Sequence, residues 1–181
     1  MKTLQMATWT CLLANWLDTL HSADHNIKTS ALESGNNTAE EHEKHQWADI
    51  IIIQTPVYWF DVPWIFKKYI DEAYTSAMGQ LWESDGRSST DSTKLYGSGG
   101  LTQGKQYMIS TTWNASKDAF DNHSQFFNGY DTDMVFMGLH KMYQFLGMKQ
   151  LSSFSCYNII KNPQIETDLT SYAAHINRVV N

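Results

Sequence analysis

Positive charge is scarce in this chain. Its 181 residues hold 13 Lys and Arg against 19 Asp and Glu, a formal charge of −6, and no basic block offsets it. Nucleic acid and anionic membranes are held through clustered cations, so neither is expected as the main partner and small molecules fit better. Cysteine is almost absent. Cys11 and Cys156 lie far apart and form no metal or redox spacing, which reads as two reduced thiols of a cytoplasmic protein, though a disulfide between them is also compatible with the sequence. No apolar run reaches membrane-spanning length. The apolar stretch after Met1 and Lys2 is interrupted by Asn15, Asp18 and His21 with no small-residue cleavage site, so no signal peptide is expected.

Two familiar motifs are missing as well. His42 and His45 stand three apart beside Glu41, whereas a zincin needs His-Glu-x-x-His with four-residue spacing; the expectation is a solvated helix face and no metal. Gly97, Gly99, Gly100 and Gly104 precede a strand, while a dinucleotide-binding glycine turn follows one and opens a helix, so that motif is rejected.

What is present centres on residues 48–74. The isoleucines within Asp49–Gln54 form the uninterrupted β-branched run of a strand covered on both faces, as in a parallel sheet between helix layers. Thr55 and Pro56 end it, Tyr58, Trp59 and Phe60 follow, and Pro63 opens a helix to about Ala77, with Ile65, Phe66, Tyr69, Ile70 and Ala73 on its inner stripe. Ligands of open α/β sheets sit outside the carboxyl ends of the strands, which places the aromatic turn at a binding edge. Three rings there offer stacking area to a planar ligand, and they serve equally well as core.

The rest of the chain alternates helix and strand. Trp9, Leu12, Leu13, Trp16, Leu17 and Leu20 mark an amphipathic helix, Asn26–Leu32 a weak edge strand, and Thr38 with Glu41 the capping box of a short helix. Met78–Gly104 is a long loop carrying Trp82 and Tyr96. Lys105–Thr111 is the next strand, and Thr112, Trp113 and Asn114 make a second ligand-edge loop, where Asn114 can both donate and accept hydrogen bonds to a ligand and suits a turn about as well. Met134–Leu146 is a helix closed by Gly147, Gln150–Cys156 a last strand, and Pro163 opens a final helix. The pattern is that of an α/β, flavodoxin-like, doubly wound parallel sheet with helices on both faces, in one domain spanning 1–181.

TPVYWFDVPWIFKKYIDEAY, SDGR at Ser84–Arg87, KLYGSGGLTQGKQYM at Lys94–Met108, TTWNA at Thr111–Ala115, QFF at Gln125–Phe127 and QFLGM at Gln144–Met148 occur in order. They resemble the FAD-dependent NAD(P)H:quinone reductases, specifically the bacterial modulator of drug activity B group. The resemblance implies a homodimer that binds FAD, takes a hydride from NAD(P)H and passes two electrons to a quinone. It also implies that Tyr58, Trp59, Phe60 and Trp113 shape the ring pocket, that Val57 and Ala115 contribute mainly backbone groups, that Thr112 belongs to the cofactor-binding set, and that Asn114 and Tyr96 supply polar contacts, Tyr96 being delivered by the long loop. Relatives in the wider family use a Tyr and His pair for proton delivery; here Phe120 carries no proton and His123 reads as a solvated loop histidine.

Members of that family start with a central strand and a loop for the FAD phosphates. Met1–Ala7 are too few to supply both. The expectation is therefore a sheet without its first central strand, truncated at the N-terminus relative to the family, with an impaired phosphate half. On that ground a cofactor-deficient, non-enzymatic dimer is the alternative function, and a one-electron flavodoxin-type carrier a more distant one.

Overall fold

A computed structural model describes residues 3–8, 26–31 and 37–180. Its strands are β1 (Thr3–Thr8), β2 (Asn26–Ala31), β3 (Ile50–Pro56), β4 (Gln106–Thr112), β5 (Lys149–Gln150) and β6 (Phe154–Cys156). Its helices are α1 (Thr38–Trp47), α2 (Trp64–Thr75), the single turns α3 (Asp118–Asp121) and α4 (Thr132–Val135), α5 (Met137–Phe145) and α6 (Ile165–Val180). The sheet runs β2-β1-β3-β4-β5, with β6 also on β4, and every pairing is parallel.

The isoleucine strand lies at the centre, as its composition requires: every residue of β3 is buried. Successive side chains of a strand point to opposite faces. Ile51 and Ile53 accordingly join Tyr107, Ile109 and Trp113 in a core with Phe66, Tyr69 and Ala73 of α2 and Leu139 and Tyr143 of α5. Ile50 and Ile52 join Met108 and Cys156 beneath Tyr172, Ile176 and Val180 of α6. The sheet is therefore covered on both sides, and β2 is its edge, as expected for Asn26–Leu32.

The expected loss of the first central strand is overturned. β1 lies between β2 and β3, with Leu4 opposite Ile50 and Ala7 opposite Ile53 on one side and Thr3 opposite Asn26 on the other. Six residues at about 3.3 Å each are enough to cross a sheet, and register with two neighbours holds a short strand that sequence periodicity cannot mark. The helix expected at Trp9–Leu20, Cys11, and the stretch where a phosphate loop would follow β1 lie outside the described residues.

The solvated helix face is a second correction. Glu41, His42 and His45 are all buried. Glu41 accepts from the Tyr69 hydroxyl at 3.0 Å and from Lys44 Nζ at 2.6 Å. His42 Nε2 donates to the Ala73 carbonyl, and His45 bridges its own helix at Glu41 O and the Tyr74 hydroxyl, which lies 3.0 Å from that of Tyr143. α1 thus docks on α2 through polar pairs, so its buried face carries no apolar stripe to read. The cap is Asn37, whose side chain accepts from Ala39 N, in place of the Thr38–Glu41 box. Two smaller differences follow from local backbone. The helix expected at Met134–Leu146 breaks at Phe136, and the last strand splits into β5 and β6 around Leu151–Ser153.

The long loop is tied down by backbone bonds: Glu83 N to Gly99 O, Leu101 N to Leu81 O, and Gly97 N to Asp85 O. Gly100 sits so close to Leu146 that a Cβ would fall 2.1 Å from its carbonyl carbon, which explains glycine there.

Candidate functional site

Two corners form where β3 and β4 leave the sheet side by side. They are joined by the Val57 amide, which donates to the Thr112 carbonyl at 3.1 Å. In the first corner, Tyr58 and Asp61 exchange backbone bonds of 2.9 and 3.1 Å around a two-residue turn. Trp59 and Phe60 occupy that turn with φ of +52° and +68°, the left-handed values that bulky side chains rarely adopt. Such strain persists where surrounding structure enforces it, commonly at ligand sites. It raises the rings away from the core: Trp59 is 94% exposed, and Tyr58 and Phe60 are each more than half exposed. Phe60 stacks on Phe126 at 5.5 Å and meets Phe127 edge-on at 6.0 Å.

The second corner is built differently. Trp113 is only 3% exposed. Its indole packs edge-to-face on Phe120, Phe127 and Phe136, and its Nε1 donates to Thr111 Oγ1 at 2.8 Å. The backbone of this corner is stitched to the segment after β6: Trp113 N to Cys156 O, Ile159 N to Trp113 O, and Asn158 N to Ala115 O. Thr112 is buried, Ala115 half-buried and Asn114 exposed. The site residues expected from sequence therefore divide. Val57, Tyr58, Trp59, Phe60, Thr112, Asn114 and Ala115 share one edge, while Trp113 forms the floor below it rather than a wall of an open slot. Phe127 touches both Phe60 and Trp113, so the corners face one another across a shared ring.

Tyr96 is not brought to this edge within one chain. It is 72% exposed against Phe145 at the C-terminal end of α5, whereas Trp113 meets Phe136 at that helix's opposite end. The parallel sheet explains the separation, because the long loop returns to the start of β4 and the corners lie at its exit. His123 is exposed and bonds the Asn128 carbonyl, as a loop histidine would, and Phe120 is core.

Three features escaped sequence reading. Phe126 and Phe127 continue the aromatic rim, and only the QFF string signalled them. An apolar groove of about 400 Å³ opens beside Phe60 between α2 and α5, lined by Val62, Ile70, Phe136, Leu139 and Met142. Gln54 and Ser110 are buried neighbours on β3 and β4, and neither Gln54 Nε2 and Oε1 nor Ser110 Oγ has a hydrogen-bond partner among the described residues.

The eight residues Val57–Phe60 and Thr112–Ala115 contain no carboxylate, imidazole, amine or thiol. Nearby, burial pushes the Cys156 thiol up to about 12, so it stays protonated and is no nucleophile; it is free. Among the described residues no cluster of His, Cys, Asp or Glu is arranged to hold a metal, and no helix is long and apolar enough to cross a membrane. Such an edge can stack, hydrogen-bond and exclude water, and any redox chemistry has to come from a bound group.

Comparison with known proteins points the same way. The sequence profile of a family described as flavodoxin-like fold matches residues 2–179. The NADPH:quinone oxidoreductase MdaB of Haemophilus influenzae is 43% identical over 162 residues, covering 90% of this chain and 84% of that protein. Among solved structures, a Klebsiella pneumoniae protein assigned as a quinone reductase superposes with a TM-score of 0.79 at 21% identity, over 98% of this chain and 84% of that one. The general stress protein 14 of Treponema denticola, in complex with FMN, gives 0.73 at 17% identity, over 98% of this chain and 99% of that one. At those identities the structural likenesses speak for the fold alone.

Proposed function

This chain belongs to the family of flavodoxin-like fold, and on that premise we propose that it is a flavin-dependent NAD(P)H:quinone oxidoreductase that uses FAD, in the cytoplasm, as a homodimer of single-domain chains. The observation that carries the reading is the tied pair of corners: exposed rings beside the exposed Asn114 amide at the exits of two central strands, with no acid, base or nucleophile of their own. In open α/β sheets this is where ligands sit.

The residues present fit a flavin. Tyr58, Trp59 and Phe60 would cover its ring, the backbone of Val57 and Ala115 and the amide of Asn114 would meet its polar rim, and Trp113 would hold the floor level. Bound there, the flavin supplies acceptance of a hydride from NAD(P)H and delivery of two electrons to a quinone. The chain's own contribution is orientation and exclusion of water. Phe126 stacked on Phe60 extends the apolar wall, and the strained turn keeps that wall raised without a ligand.

A second copy of the chain would cover part of the apolar rim. Trp59, Trp64, Phe126, Met134 and Met137 are each more than half exposed around the corner and the groove beside it. Exposed apolar side chains gathered in one region are what interaction surfaces offer. The cofactor-deficient alternative rested on a missing inner strand and a missing phosphate loop; β1 fills the strand's place, and the stretch that would hold the loop lies outside the described residues.

The test is direct. Purified protein is incubated with FAD or FMN, desalted, and assayed for retained flavin absorbance and for NADPH-dependent reduction of menadione. Retained FAD with turnover is expected. Failure to retain either flavin, with no turnover in their presence, would sink the reading; preferential retention of FMN would correct the cofactor.

A further inference from the structure

Gln54 and Ser110 are unlike their neighbours. On the α6 side of the sheet, β3 presents Ile50, Ile52 and Gln54, and β4 presents Met108 and Ser110, with Gln54 directly opposite Ser110 in register. Gln54 is 1% exposed and Ser110 is fully buried. Among the described residues, neither end of the Gln54 amide nor the Ser110 hydroxyl has a hydrogen-bond partner. Adjacent parallel strands lie about 4.8 Å apart, so three unsatisfied polar atoms are gathered in one spot. Buried polar groups in native proteins are almost always paired, and a cluster of exceptions calls for a specific occupant.

Position and chemistry narrow that occupant. Gln54 is three residues before Val57, and Ser110 two before Thr112, the pair whose backbones join the two corners. The step therefore lies just inside the proposed flavin edge, on the sheet face opposite the Trp113 floor. Both residues lie beneath the surface on which a three-ring body could rest, so the occupant that reaches them has to be slender. An amide with donor and acceptor both free, beside a hydroxyl, needs a partner that both gives and takes protons. A phosphate at neutral pH mainly accepts and would leave the Gln54 carbonyl unpaired. A polyol satisfies all three atoms.

We propose that Gln54 and Ser110 bind the ribityl hydroxyls of the flavin, an inference that rests on the flavin reading above and specifies which part of the cofactor the inside of the sheet recognises. The ribityl chain is common to riboflavin, FMN and FAD, so the step would secure the ring's orientation whatever follows the chain.

Riboflavin and lumiflavin test this, because lumiflavin carries the same ring with a methyl group in place of the ribityl chain. Affinities of both for the apoprotein are read from quenching of flavin fluorescence, in wild type, Gln54→Leu and Ser110→Ala, with the denaturant midpoint of each apoprotein measured alongside. Gln54→Leu should weaken riboflavin about tenfold and Ser110→Ala a few-fold, with lumiflavin unchanged in both. The apoprotein midpoints should hold or rise, since an unpaired polar group leaves the core. An unchanged ratio of riboflavin to lumiflavin affinity in both variants overturns the inference, whatever happens to stability; Ser110→Ala decides it if Gln54→Leu does not fold. Wild-type protein that binds neither flavin overturns the flavin reading with it, whereas wild type that binds both flavins with variants unchanged overturns this inference alone.

Discussion

The two corners carry the same kind of residue to opposite ends. At the exit of β3, Trp59 stands almost wholly in solvent on a turn with positive φ; at the exit of β4, Trp113 is buried under three phenylalanine rings with its indole N–H satisfied. One is a surface held up by backbone strain, the other a floor held down by packing. The difference teaches that an aromatic residue after a strand is only a candidate ligand contact. Whether it meets ligand or core depends on the turn geometry before it and on what lies behind it.

That contrast can be broken most forcefully at the floor. Trp113→Ala should cost about 3 to 5 kcal/mol, the usual range for emptying a buried Trp or Phe site, and abolish flavin binding through loss of the fold. Urea denaturation of the apoprotein measures it. A variant that stays as stable as wild type and loses only flavin affinity would return Trp113 to the pocket wall.

Acid probes the packed side of the sheet without touching either corner. Burial lowers the His45 pKa from 6.5 to about 4, so the unfolded chain binds a proton that the folded chain refuses. Stability from this residue is complete above pH 6.5 and is lost as the pH falls toward 4, by roughly 3 kcal/mol at most. Denaturant midpoints at pH 7 and pH 5 should show the decline, and His45→Leu should flatten it. An equal slope in that variant would assign the acid sensitivity elsewhere.

The hydrogen bond under the floor gives a smaller effect. Thr111→Val leaves the buried indole N–H without an acceptor and removes a partner of Ser155, which lies 2.8 Å away. A loss of about 2 kcal/mol is expected by thermal or urea unfolding, with the exposed corner unaffected.

The smallest change is at the surface corner and has the opposite sign. Trp59→Gly places a residue without a Cβ at φ +52°, and should stabilise the apoprotein by up to about 1 kcal/mol while weakening flavin or quinone binding. If stability fell instead, Trp59 would be packed rather than displayed, and the distinction between the corners would disappear.

Much of the frame was legible before any coordinates. A run of isoleucines can only be a strand covered on both faces, and the regular alternation of elements around it implies a parallel sheet. The stripe from Ile65 to Ala73 named the side of α2 that packs. β1 was not legible, because six residues held by two neighbours need no pattern of their own. The buried Glu41, His42 and His45 were not legible either, since polar residues that pair with Tyr69 and Tyr74 look like a solvated face to any reading based on hydrophobicity.

The amino-acid sequence by itself settled the two central strands and the helix between them, that the sheet is parallel, and that two ring-bearing loops leave it at the same edge. Those are consequences of local periodicity and of side chains that tolerate only one kind of burial. Tertiary structure alone decided which tryptophan is displayed and which is the floor, and why Tyr96 lies at the far end of α5. It also decided that Gln54 and Ser110 stand together without partners among the described residues. Each of these depends on contacts between residues far apart in the chain, and the free energy of such a contact belongs to the pair and is written in neither residue alone.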